Sequence, residues 1–235
     1  MKRFYRTVAV REAAAGFAVL LDGKPIRTPR KLAFAVPYRA LAEAVAAEWR
    51  AQGDIVNLAA MRLGRLANTA IDLVAGQREP VIRQIAAYAE TDLLCYRATE
   101  PPELAARQAE SWDKLLDWLA ASYGARLAVT AGIVPIAQDE RALLAIASAV
   151  AAFESFPLTA LHMATAAAGS VVIGLALAAG RLDAASAAAA ALIDDAWQIE
   201  RWGADAEAQR RIDAVRADIE AAAAFLALCR AEAEA

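Results

Sequence analysis

One histidine, His162, and two cysteines, Cys95 and Cys229, are the whole supply of imidazole and thiol in 235 residues. That scarcity excludes most metal and nucleophile chemistry. Neither cysteine sits in a CxxC pair and no HExxH is present, so neither a zinc site nor a disulfide framework is expected. Both thiols should be reduced, and His162 should belong to the core. Glycine is sparse at 11 residues and forms neither a Walker A nor a GxGxxG pattern. Gly169 and Gly174 lie inside an apolar segment, so no nucleotide site is expected and no cofactor is implied. Positive charge is not in excess either. Lys and Arg total 25 against 28 Asp and Glu, a net −3, which argues against a nucleic-acid partner.

What the chain has in abundance is alanine. It accounts for most of the excess in a hydrophobic share of 59%, and alanine favours helix while burying little side-chain area. The segment Leu158–Ala179 contains no charged residue and is about as long as a membrane span. Thr159, His162, Thr165, Ser170 and the small residues Ala166–Gly169 speak against insertion, as does the lack of an aromatic belt or basic cluster. A helix buried on all sides at the centre of a bundle needs the same composition. The start, Met1-Lys2-Arg3-Phe4-Tyr5, has neither a signal-peptide core nor a Ser/Arg-rich presequence pattern, and a chain beginning at or near Met1 is expected.

Strand periodicity is confined to the first part. Thr7-Val8 and Val10 alternate, Gly16-Phe17-Ala18-Val19-Leu20-Leu21 follows, and Asp22-Gly23 is a hairpin turn leading into Lys24-Pro25-Ile26. Leu32–Val36 adds an extended run. From Pro37 a helical stripe passes through Leu41, Val45 and Trp49 and ends at Gly53. Beyond Asn57 the period becomes helical. Helices are expected from about Leu63 to Leu73 and from Glu79 to Glu90. Asp92-Leu93-Leu94-Cys95-Tyr96 reads as a buried extended connection, and Thr99 as the cap of a long helix stopping near Gly124. Leu127–Val129 and Ile133–Ile136 resemble a short strand pair or an extended excursion across a helix surface. Asp139 opens a helix to about Phe153, Pro157 opens the charge-free helix to Gly180, Asp183 caps one running to Trp202-Gly203, and a last helix covers about 204–230. The fold class expected is α+β: a small β-rich N-terminal domain, residues 1–58, followed by a mostly α-helical orthogonal bundle, residues 59–235.

Two polar constellations stand out. In Ile193-Asp194-Asp195-Ala196-Trp197-Gln198-Ile199-Glu200-Arg201-Trp202-Gly203, two large aromatics and three acids crowd one helix end. Trp197 and Trp202 are five apart and diverge by about 140° on an ideal helix, so both cannot point at one core. Either an interface anchor with acids that set register, or two tryptophans sealing the bundle end, fits this pattern. An acid pair for catalysis would also need these carboxylates to converge in a pocket, with at least one raised pKa. The second constellation is Arg65, Asn68, Thr69 and Asp72, spaced i, i+3, i+4, i+7 on one helix face. It is either a solvated face or a seam that docks the two domains or a client. Trp49 is expected between the domains.

Together these segments resemble the F1-ATPase assembly chaperones that act on the ATP synthase alpha subunit. The match runs through Leu21-Asp22-Gly23-Lys24-Pro25-Ile26-Arg27-Thr28-Pro29, Glu48-Trp49 with Gln52-Gly53, Arg65-Leu66-Ala67-Asn68-Thr69-Ala70-Ile71-Asp72, Glu90-Thr91-Asp92-Leu93-Leu94-Cys95-Tyr96-Arg97, and Trp197-Gln198 with Trp202-Gly203. The resemblance implies a β-containing N-terminal domain, an orthogonal helical bundle, no cofactor, no catalysis, and a monomer that covers a client's sticky face by contact. It further implies a bacterial cytoplasmic protein. The resemblance places client binding at Asp194, Asp195, Trp197, Glu200 and Trp202, with charge sensitivity carried to Asp195, Glu200 and Asp194. Trp49, Arg65, Asn68, Asp72 and Asp92 are assigned structural or domain-docking roles. Charge reversal at Asp195 or Glu200 is expected to weaken client rescue while leaving the fold near wild type.

Overall fold

A computed structural model describes residues 1–230; residues 231–235 of the expected second domain lie outside them. The described residues form an α+β protein with a three-stranded antiparallel sheet near the N-terminus and ten α-helices. Two compact units emerge. The first comprises Met1–Arg78, Ser155–Ala160 and the last helix from Ala224 onward; the second comprises Glu79–Glu154 and Leu161–Ala223. The boundary therefore differs from the expected 58/59, because residues 59–78 belong with the sheet.

In the first unit β1 (Val8–Ala13), β2 (Gly16–Leu21) and β3 (Lys24–Pro25) lie in sequence order, with Val8 opposite Leu21 and Ala13 opposite Gly16. The Asp22-Gly23 turn has positive φ at both residues, 48° and 77°, the geometry that matches strand twist in a two-residue hairpin. Asp22 closes the turn by accepting the Arg6 and Thr7 backbone N–H groups, bonds that lower its pKa. Gly16 is required outright: its φ is 114°, and a Cβ there would lie 2.2 Å from the Val36 carbonyl oxygen. Helix α1 (Arg39–Arg50) packs Leu41, Ala42, Val45 and Ala46 toward the sheet.

Helix α2 (Arg62–Asp72) is tied to α1 by one side chain. Glu48 accepts the Leu63 and Gly64 backbone N–H groups at 2.9 and 2.8 Å, supplying acceptors to the first turn of a helix whose own cap residue, Met61, has none. Burial raises the Glu48 pKa against those bonds. Its partners lie 15 and 16 residues away in sequence. Phe156 and Phe225 stack with centroids 6.4 Å apart, which brings the two late segments into the same unit.

The second unit is helical. Helix α3 (Arg78–Ala87) leads into short 3-10 turns at Tyr88–Thr91 and Leu93–Cys95, then β4 (Tyr96–Arg97). The 92–96 segment is buried as expected but is coiled rather than extended. Helix α4 (Pro102–Tyr123) has Pro101, not Thr99, at its N-cap, and Gly124 ends it in the left-handed region. Strand β5 (Thr130–Ala131) pairs in parallel with β4, so the expected pairing of 127–129 with 133–136 is replaced by one with residues 96–97. Helix α5 (Glu140–Ala151) begins at Asp139, whose side chain accepts the Arg141 N–H.

The charge-free segment is two helices, α6 (Ser155–Ala168) and α7 (Val171–Ala178), not one. Gly169 at φ 66° ends the first, and Ser170 caps the second by accepting the Ile173 N–H at 3.1 Å. All eight residues of α7 are buried. No helix among the described residues is long and apolar enough to cross a membrane. Asp183 caps α8 (Ala184–Ala191), a break at Leu192 separates it from α9 (Ile193–Trp202), and α10 (Ala206–Arg230) completes the chain described.

Candidate protein-docking site

Helix α9 carries the acid and tryptophan cluster in the second unit, and its two aromatics part as helical geometry requires. Trp197 is 7% exposed and Trp202 is 78% exposed. The guanidinium groups of Arg201 and Arg107 lie 4.5 and 5.1 Å from the Trp197 ring centroid, so the buried indole is flanked by cations. Among the described residues no cation is stacked on Trp202 in this way. An exposed tryptophan on a firmly held helix is the kind of rigid apolar anchor that interfaces favour.

Each acid is engaged within the chain. Asp194 accepts from the Gln108 side chain at 2.7 Å, Asp195 pairs with Arg211, and Glu200 receives both terminal nitrogens of Arg107 at 2.8 and 2.9 Å. The Arg107 pair lowers the Glu200 pKa. The three carboxylates thus have three separate partners, Gln108, Arg211 and Arg107. Sequence reasoning missed Arg107, Gln108 and Arg211 because two of these partners lie 93 and 86 residues from the acids they meet.

Beside this helix runs a groove of about 450 Å³, lined by Tyr96, Leu104, Gln108, Ile133, Trp197 and Trp202 among others. Ile133, in the loop after β5, is 94% exposed, and neighbouring Val134 is also exposed. A branched aliphatic pair left in water next to an exposed indole makes an apolar rim that a partner could cover. The apolar run Ile133-Val134 is visible in the sequence; its exposure is not, because the same pattern fits a buried strand.

Asp92 lies wholly inside the second unit. Its carboxylate is fully buried and accepts N–H groups from Leu94 at 3.0 Å and Val172 at 3.2 Å, with Ser170 as a further partner, thereby capping α7. Burial outweighs these bonds and pushes its pKa up to about 6 from 3.8. Between those values the folded state holds a proton that the unfolded chain has released. The Asp92 contribution to stability is therefore full at acid pH and falls by about 3 kcal/mol as pH rises through about 6. Urea unfolding at about pH 4.5 and pH 7 should show about 2 kcal/mol of this drop in the wild type and lose it in Asp92→Asn; parallel pH profiles for the two proteins would contradict it.

Other candidate residues fall in the first unit. Trp49 lies edge-on to Tyr5, with centroids 5.5 Å apart, and packs on the Tyr5, Leu21 and Val56 cluster; its carbonyl accepts the Tyr5 hydroxyl. These contacts are internal to that unit. Along the α2 polar face, Thr69 bonds back to the Arg65 carbonyl, and Asp72 holds the turn at Arg30 through its Oδ2 and its carbonyl. Arg65 and Asn68 border a separate cavity. Half-buried His162 has its pKa lowered by burial, and burial pushes both Cys95 and Cys229 up to about 12, which leaves the thiols unreactive. Among the described residues no group of three His, Cys, Asp or Glu could hold a metal ion.

The three acids of α9 are thus each bonded within the chain, and Trp202 is left bare at the edge of the groove. A family model for the ATP12 chaperone protein matches residues 2–120. The chain is 42% identical to Atp12 from Paracoccus denitrificans, covering 97% of both chains with a TM-score of 0.92. A Lys-for-Asp mutant of the same Paracoccus protein matches with 41% identity, 97% coverage of both chains and a TM-score of 0.92. An Agrobacterium tumefaciens protein matches at 41% identity, with 96% of this chain and 84% of that one covered and a TM-score of 0.90. This chain belongs to the ATP12 chaperone family.

Proposed function

We propose that the protein is an assembly chaperone for the F1 sector of ATP synthase, a monomer of the bacterial cytoplasm that holds the free alpha subunit until it pairs with beta. Membership of the chaperone family supports the class, and the motif resemblance supports the client. Its mode is occupation: an unpaired subunit exposes an apolar face, and the holder shields that face without nucleotide or bond chemistry. The observation that carries the reading is the bare Trp202 beside Ile133, on a helix whose other tryptophan is buried. The docking face is formed by Trp202 and Ile133, with Trp197 beneath as support and Glu200 as the exposed acid.

Light scattering by isolated alpha subunit, warmed without ATP, tests both parts. Wild-type chain should suppress aggregation at near-stoichiometric ratio, and Trp202→Ala should lose most of that protection with an unchanged Tm. Failure of the wild type to protect would reject the client. Full protection by Trp202→Ala would reject the face.

A further inference from the structure

The overall net charge of −3 conceals a strong segregation. Residues 1–78 carry 13 Lys and Arg against 6 Asp and Glu, a net +7, whereas residues 79–235 carry 12 against 22, a net −10. Such asymmetry signals an acidic partner for the basic part. Within the first unit the charge borders a cavity of about 400 Å³ whose floor includes Ile26, Phe34, Val45, Trp49 and Met61. Arg27 and Arg65 stand on its wall, both exposed.

Neither guanidinium is neutralised. Arg27 donates to the Lys31 carbonyl at 3.0 Å and Arg65 to the Ala59 carbonyl at 3.5 Å, and neither is paired with a carboxylate among the described residues. The acids that could have reached them are tied elsewhere, Glu48 to the start of α2 and Asp72 to Arg30. Asn68, also on the wall, has a buried Oδ1 without a hydrogen-bond partner. Leu58 extends the apolar lining outward and is 52% exposed.

We propose that this cavity is a peptide-docking site: it takes a large apolar side chain from an extended acidic segment of another polypeptide, whose flanking carboxylates pair with Arg27 and Arg65. The volume suits one bulky side chain with its local backbone, within the lower range of ligand pockets. Arginine suits the carboxylates because its fork binds them bidentately. A nucleic acid fits less well, since phosphate tracking needs a polar basic groove with stacking platforms along it, whereas here the cations frame an aliphatic and aromatic floor. The site lies in the first unit, apart from Trp202, and stands whether or not the alpha subunit is the client.

The test uses the full chain and three acetylated, amidated pentapeptides that share Phe and Leu and differ only in flanking Glu, Lys or Ser, with an oligothymidylate as a fourth probe. Calorimetric titration should rank Glu first, by about tenfold over Ser and more over Lys, with affinity falling as salt rises. Amide NMR should show the Asn68 carboxamide and the Trp49 indole shifting on titration. Arg27→Glu with Arg65→Glu should reverse the Glu and Lys order, while Arg11→Glu on exposed β1 should not. If the double variant loses its native Tm, the single Arg→Gln changes at the same positions should each weaken the Glu peptide severalfold. Equal binding of the three peptides, shifts confined to the Trp202 face, tighter oligonucleotide binding that displaces the Glu peptide, or a native-Tm double variant that binds as wild type would each overturn the proposal. Because no F1 subunit is used, such a failure leaves the Trp202 docking reading untouched.

Discussion

Trp112→Ala should destabilise the second unit by about 5 kcal/mol, the largest stability effect expected of any single change in it. Trp112 is completely buried on α4, its indole N–H donates to the Ala190 carbonyl at 2.9 Å, and the Arg97 guanidinium lies 5.0 Å from its ring centroid. Alanine removes the ring and leaves a cavity, which for Trp costs about 3–5 kcal/mol. It also strips the donor from a carbonyl in the last turn of α8, where no further helical N–H follows, for about another 1 kcal/mol or more. A loss of that size is comparable with the whole stability of a modest domain. Urea unfolding followed by far-ultraviolet circular dichroism should show the midpoint collapse for Trp112→Ala and a partial loss for Trp112→Phe, which keeps most of the volume but not the donor. Trp202→Ala in the same experiment should superimpose on the wild type. If Trp112→Ala and Trp202→Ala shift the midpoint equally, the division of these tryptophans into core and docking face is wrong.

The divergence of Trp197 from Trp202 was legible in the sequence because helical geometry alone forces residues five apart to point different ways, whatever surrounds them. The hairpin was legible for a similar reason: Asp22-Gly23 supplies the two positive φ angles its turn demands, and no tertiary contact is needed to see it. Breaks inside apolar helices were not. Leu158–Ala179 reads as one helix because glycine is tolerated in a buried helix; only the pairing of Gly169 as a left-handed stop with Ser170 as the next cap reveals two. The role of Glu48 was hidden for a different reason: it looks like any surface carboxylate until its backbone partners at the start of α2 are seen. Charge segregation escaped through averaging: each half cancels the other in the total, and the +7 appears once the chain is cut at residue 78. The acids of α9 show the same limit. Their presence was visible, but their partners come from α4 and α10, and an acid that looks ready for a client is already bonded at home.

This last point separates Asp195 from Glu200 and alters the expectation that charge reversal at either spares the fold. The Asp195 side chain is 14% exposed and paired with Arg211, and it lies in the first turn of α9, where the helix dipole favours a negative charge. Asp195→Lys removes that pair, sets a lysine against Arg211, whose own side chain is 61% exposed, and opposes the dipole; a loss of about 1–2 kcal/mol is expected. Adding Arg211→Asp should restore much of it, a coupling that a double-mutant cycle on Tm or urea midpoint measures directly. Glu200 differs in exposure: more than half of its side chain is open, and so is much of its partner Arg107. Glu200→Lys should keep a native melting curve, and any fall in protection of the alpha subunit then belongs to docking. Should Glu200→Lys protect as well as wild type while Asp195→Lys fails only above its own lowered Tm, both acids serve the scaffold and the client is held by the apolar face around Trp202 alone.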